Sequence, residues 1–379
     1  MRRSLGLVAC VLVSACGGAS HPKADGAAGS AAAGQGGGAG VVARDAALES
    51  TAGAGGSDAD ARDAASDADV ADADANGAVQ VDATATGPFT EWAVPTAASE
   101  PWGVTLGPDG ALWFTELVGG KIGRLTPAGA LTEFPIPTAG SDPFSIATGP
   151  DGNLWFTEEY GGKIGRLTPA GVMTELTVPT AKPNLEGITA GPDGNLWFTE
   201  ADADKIGRVT PTGTITEFPI ATPTSYPSYI VAGPDGNLWF TEAFGKIGRI
   251  TPTGAITDYE CPTPGSGPVG ITAGPDGDLW FAEGAGHQIG RSTTAGVMTE
   301  FPLTPTLASP VGVTKGADGS LWFTEQMGNQ LVQVATTGAV VKSYVIPTPN
   351  AFPGQITVGP DGALWFTESI ATKIGRLAP

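Results

Sequence analysis

Leu-Trp-Phe recurs along the chain with its tryptophan at Trp113, Trp155, Trp197, Trp239, Trp280, Trp322 and Trp365, at spacings of 42, 42, 42, 41, 42 and 43 residues. A unit this short cannot bury an apolar face alone, so such units gain a core by stacking on their neighbours. Within the second copy, Phe144–Thr148, Asn153–Glu158, Lys163–Thr168 and Val172–Val178 read as strands. They are divided by turns such as Gly149-Pro150-Asp151-Gly152, in which Pro presets φ and Gly accepts the left-handed region. Seven such units predict an all-β fold, a seven-bladed β-propeller of four-stranded blades. The 57 Gly and 32 Pro among 379 residues argue against long helices throughout. The repeated Trp and Phe then read as blade-to-blade packing rather than as ligand platforms.

The outer-strand pattern also occurs seven times, but its first copy, at Thr90 (TEWAVPT), precedes the first inner strand, and nothing like it follows Lys373–Leu377. Thr90 to Thr96 is therefore predicted to complete the last blade, leaving no unpaired edge at the seam.

The first 88 residues read differently. Arg2 and Arg3 followed by an apolar stretch to Val13 form a signal peptide over residues 1–16. Val13-Ser14-Ala15-Cys16 is similar to a bacterial lipobox, which makes Cys16 the predicted lipidation site and the lipid the only membrane contact. Residues 17–88 are rich in Ala, Gly and Asp, and from Gly17 to Gly87 there are 11 acidic, 3 basic and no aromatic side chains. Such a segment cannot offset its chain entropy by burial and is predicted to be a disordered tether, leaving the propeller at 89–379. The expected location is extracytoplasmic, on a bacterial membrane, and the expected state is a monomer.

A net charge of −20 excludes a nucleic-acid binder that works by neutralising phosphates. Three Cys and two His are too few for Cys/His zinc sites or a disulfide scaffold, and Cys261 reads as a small buried hydrophobe.

In this architecture the inner strands line a central channel, and the loops at one end of it make the usual binding face. The residues opening the inner strands, Trp102, Phe144, Glu186, Ser228, Val269, Val311 and Gly354, should meet there, with Tyr229 beside Ser228. So should the Glu that ends each second strand, from Glu116 to Glu368. Lys121, Lys163, Lys205, Lys246 and Lys373 follow five of these and predict a belt of ion pairs. Glu283 and Glu325 face Gln288 and Gln330 instead, so together with Glu186 they are the expected unpaired carboxylates, suited to a hard cation such as Mg²⁺ or Ca²⁺. His287 lies in a loop on the same face; its titration range would suit a general base, while a solvated loop residue is the plainer reading.

The repeat GPDGxLWFTE…KIGRLTPxGxITEFPxPT, from Phe89 to Pro379, resembles the virginiamycin B lyase (streptogramin lyase) family of seven-bladed propellers. Tyr226-Pro227-Ser228-Tyr229-Ile230 and Gly267-Pro268-Val269-Gly270-Ile271 resemble that family's fourth and fifth inner strands. The resemblance implies elimination across the ester carbon–oxygen bond of a cyclic depsipeptide, with Mg²⁺ assisting a histidine base. It places the imidazoles at the openings of the sixth and seventh inner strands, where this chain has Pro310-Val311-Gly312 and Pro353-Gly354-Gln355. It also sets Phe352 where a carboxylate is expected, Glu368 at a second carboxylate with a one-residue length difference, and Trp102 in place of a Tyr.

Three readings follow. The first is a lipid-anchored propeller that binds a small molecule, peptide or envelope component without catalysis. The second is a lyase with its base moved to His287 and Mg²⁺ held by Glu283, Glu325 or Glu368. The third is a surface spacer whose tether sets its reach.

Overall fold

The computed structural model describes residues 79–80, 83–303 and 308–379. Seven antiparallel sheets each contain one repeat, in simple up-and-down order from the inner to the outer strand. The first blade runs Pro101–Leu106, Leu112–Glu116, Lys121–Leu125, Ala130–Pro135; in the second the strands begin and end within a residue or two of the sequence expectation. Inner strands pack against the inner strands of both neighbouring blades around the ring, the seventh against the first. A 3₁₀ turn at Ala201–Ala203 is the one helical element among the described residues.

The closure predicted for the seam is present. Phe89–Ala93 pairs antiparallel with Lys373–Leu377, and Ala378 donates its N–H to the Pro88 carbonyl at 2.9 Å. The pairing continues upstream of the expected boundary at residue 89. Ala83–Thr86 folds back on Phe89–Ala93, and Val79–Gln80 pairs with Leu131 and Ala130 at the outer edge of the first blade. An outermost strand leaves a row of open N–H and C=O groups, and a short extended segment satisfies them. The signal peptide, Cys16 and most of the expected tether lie outside the described residues.

The Leu-Trp-Phe runs are the core. Trp113, Trp155, Trp197, Trp239, Trp280 and Trp365 are fully buried, each with its indole N–H donated to the Asp of the preceding turn, as from Trp113 to Asp109 at 3.0 Å. An Arg from the third strand lies over the same ring, Arg124 at 5.7 Å from the Trp113 centroid. Phe114 needs the glycine across from it: a Cβ on Gly123 would stand 2.1 Å from the Phe114 ring. The clusters span blade boundaries, so that Trp365 and Ile374 of the last blade pack with Leu112 and Phe114 of the first. Cys261 is buried, as expected.

Candidate ligand cavity

The inner strands do not run straight into the channel. In all seven, the register with the second strand slips between the opening Pro or Leu and the residue three further on, as between Pro101 and Val104. A bulge re-aims the residue it contains, and the residues within these are the ones singled out as opening each strand. A threonine from the second strand fixes the bulge. Thr115 accepts the Gly103 N–H at 2.8 Å and donates to the Phe144 carbonyl of the next blade at 3.0 Å. Across the seam, Thr367 donates to the Trp102 carbonyl at 2.8 Å.

Above the bulges lies a cavity of about 460 Å³, a size that suits a drug-sized ligand. Trp102, Phe144 and Tyr229 form its aromatic wall, with ring centroids 5.9 and 5.7 Å apart and the Trp102 indole donating to the Tyr229 hydroxyl at 2.8 Å. Burial pushes the Tyr229 phenol up, so it remains protonated. Glu186, Ser228 and Val269 also line the space, and the Ser228 hydroxyl donates to Glu186.

The loop between second and third strands supplies the rest, and here sequence reasoning looked one or two residues too early. At least one of the two residues after each strand-ending Glu lines the cavity, as do Leu117 in the first blade, Glu159 and Tyr160 in the second, Phe244 in the fourth and Gln326 in the sixth. The signal available was variation among repeats, since these positions differ from copy to copy while Leu-Trp-Phe does not.

The strand-ending glutamates themselves are buried between strands and do not form the predicted ion-pair belt. Each Lys turns outward to an acidic residue of the outer strand instead: Lys163 to Glu175 at 2.7 Å, Lys205 to Glu217 at 2.8 Å, Lys373 to Glu91 at 3.0 Å. A long aliphatic stem places the ammonium near water while its base stays covered. Neither carboxylate oxygen of Glu116, Glu158, Glu200, Glu242 or Glu368 has a hydrogen-bond partner. Burial first, and then repulsion from a nearby carboxylate, pushes Glu116 and Glu368 up to about 8 and Glu158 up to about 7. The two expected to be unpaired are the ones that are held: Glu283 accepts from Ser266 and from Gln288, and Glu325 from Gln330.

His287 does not line the cavity either. Its Nδ1 hydrogen-bonds to the Ala308 carbonyl, which requires the proton on that nitrogen, and its backbone carbonyl accepts from Leu303 at 3.1 Å. It ties one loop to the next rather than facing a substrate.

Known proteins give this geometry a context. The sequence profile described as the virginiamycin B lyase family matches residues 88–308 and 272–379. No curated protein sequence matches the chain. A selenomethionine-substituted virginiamycin B lyase from Staphylococcus aureus superposes with a TM-score of 0.74 at 39% identity, over 77% of this chain and 99% of that one. A streptogramin B lyase structure gives 0.73 at 39% identity, over 76% and 96%. A catalytically inactive histidine-to-alanine variant of the S. aureus enzyme with quinupristin gives 0.73 at 39%, over 77% and 99%.

The chain belongs to the virginiamycin B lyase family.

Within that family, the positions at which the resemblance sets imidazoles are built otherwise here. Val311 is fully buried in one apolar cluster with Trp102, Phe144 and Tyr229. At Gly354 a Cβ would stand 2.7 Å from the Thr367 hydroxyl and 3.2 Å from Cε3 of Trp102. Trp102 packs against the place from which a side chain at 354 would project. Phe352, at the expected carboxylate position, lines the cavity as part of its apolar surface.

The carboxylates named for Mg²⁺ do not fit that ion. Glu283, Glu325 and Glu368 are buried away from the cavity lining, and the first two are engaged by neutral donors. Among the described residues, no three His, Cys, Asp or Glu side chains are grouped so as to hold a metal.

Proposed function

We propose that this virginiamycin B lyase-family propeller is a binding module that takes an amphipathic small molecule or peptide into its central cavity and releases it chemically unchanged. The observation that carries this reading is the packing of Trp102 against Gly354. Together with Val311, it leaves both expected base positions without a proton acceptor. Trp102, Phe144, Tyr229 and Phe352 offer an aromatic surface, and Tyr160, Tyr226 and Phe244 extend it to an exposed rim on the same face.

On this reading the domain acts outside the cytoplasm as a monomer, carried on the tether and held to a membrane by a lipid on Cys16. The Val13–Cys16 motif supports the anchor. Among the described residues no helix is long and apolar enough to cross a membrane.

The test incubates the protein with quinupristin and Mg²⁺ and follows both binding and products. Elimination gives a linear isomer of unchanged mass, so products are separated chromatographically. The expected outcome is saturable binding with the depsipeptide recovered intact. Ring opening that is abolished in His287→Ala would replace this reading with that of a lyase using a relocated base. No binding of any ligand, with a cell-surface partner recovered by crosslinking, would point to a spacer.

A further inference from the structure

The cavity is electrostatically one-sided. Glu100, Glu159, Glu186 and Asp202 line it, and among the described residues no Lys, Arg or His does. Glu159 is the unusual member, because its side chain is 2% exposed and its Oε2 has no hydrogen-bond partner. A buried acceptor left unpaired is costly, and a ligand that supplies an N–H would recover that cost. Trp102, Phe144 and Tyr229 line the same space, and aromatic rings favour an organic cation and its apolar body. A compact metal ion is a poor match, since the acidic groups do not converge as a metal-binding set.

We infer that the cavity selects ligands carrying a protonated amine on an apolar body, with the ammonium donating to Glu159 Oε2 beside Glu186 and the body against the aromatic wall. This rests on the reading of the cavity as a binding site and names the class of ligand it takes.

The groups that face Glu159 are all acidic or neutral. Burial raises its carboxyl to about 8, with Glu186, Asp142 and Asp202 adding repulsion and a Tyr160 hydrogen bond opposing them. Glu186 is raised to about 7, by burial and then by Asp202, against the Ser228 hydrogen bond. Both carboxyls are therefore largely protonated at mildly acidic pH and ionised only on the alkaline side, and an incoming cation favours ionisation with release of a proton to solvent.

Three indole probes of one shape separate charge from packing: tryptamine, tryptophol and indole-3-acetate. Titration calorimetry on the full chain at about pH 9 should show tryptamine binding about tenfold tighter than tryptophol, with indole-3-acetate weakest. The preference should fall to about threefold or less near pH 6, where tryptamine is still protonated but the two carboxyls are not ionised. Glu159→Gln should lower tryptamine affinity about tenfold and leave tryptophol unchanged. Should that variant fail to fold, Asp202→Asn at the exposed edge and the pH series still read the same charge preference. Equal binding of tryptamine and tryptophol, or a preference that neither pH nor these variants alter, overturns the inference. If quinupristin binds and no amine preference appears, only this inference falls; if nothing binds, the underlying reading falls with it.

Discussion

Trp102 and Gly354 show how a pair of residues shapes the cavity of a repeated scaffold. The indole closes the space beside Gly354, completes the aromatic wall and donates to Tyr229. Trp102→Ala is expected to weaken quinupristin binding about tenfold while leaving the chromatographic product profile unchanged, as read by parallel titration and product analysis. The buried glutamates are a second residue-scale device. Their folded values lie above the ordinary 4.5, so the folded state holds more protons than the unfolded one as pH rises from there to about 8. Stability from these groups is full below about pH 4.5 and is lost as pH rises through 7 to 8, while pairs such as Lys373–Glu91 lose theirs in acid. Thermal melts should therefore peak on the acid side of neutral and decline toward pH 9. Glu116→Gln should remove part of that decline, about 1 to 2 kcal/mol at about pH 9, with little effect near pH 5. The sequence showed seven glutamates at equivalent positions, but not which way each lysine turns: Glu116 and Lys121 are cross-strand neighbours, yet the ammonium reaches Thr96 and Glu133.

At the scale of the element, blade-to-blade attachment is made by two repeated side-chain bridges. On the inner side, the threonine of the Leu-Trp-Phe-Thr run joins its own bulge to the next inner strand at Thr115, Thr157, Thr199 and Thr324, the last reaching the Gly354 carbonyl at 2.7 Å. On the outer side, the threonine following the outer strand meets the acidic residue of the next at six junctions, as Thr138 meets Glu175 at 3.0 Å and Thr180 meets Glu217 at 2.9 Å. The fifth blade has Ala282 in place of the inner threonine and lacks that bridge. Thr367→Val keeps the shape but strands the buried Trp102 carbonyl, so denaturant titration should show a loss of about 1 to 3 kcal/mol. Strands and turns were legible because period, Pro and Gly define them locally. The bulges were not, since they depend on contact between neighbouring inner strands; of the residues they contain, Trp102, Phe144, Glu186, Ser228 and Val269 line the cavity, and Val311 and Gly354 do not. The cavity carboxylate Glu159 is not singled out by the sequence because it follows the repeated Glu158 and has no counterpart in the other copies.

The seven blades form a ring whose last sheet is completed by a strand that precedes the first blade. Phe89–Ala93 completes the seventh sheet, and Glu91 joins Thr348 of the sixth blade to Lys373 of the seventh, with Thr348 Oγ1 at 2.6 Å and Lys373 Nζ at 3.0 Å. Removing residues before Ala97 opens one edge and strips a buried Trp and Phe from the core, so the truncated protein should melt well below the full chain or fail to remain soluble. Closure was visible in the sequence as an outer-strand copy at the wrong end of the array. That Val311 and Gly354 stand at the expected imidazole positions was visible too, but the packing of Trp102 beside position 354 appears only in three dimensions. The most direct measurement is a crystal structure of the protein with quinupristin and Mg²⁺ at neutral pH. The expected density is an intact macrocycle against Trp102, Phe144 and Tyr229, with His287 still bonded to the Ala308 carbonyl; an opened ring, or His287 turned toward the ligand, would contradict the account.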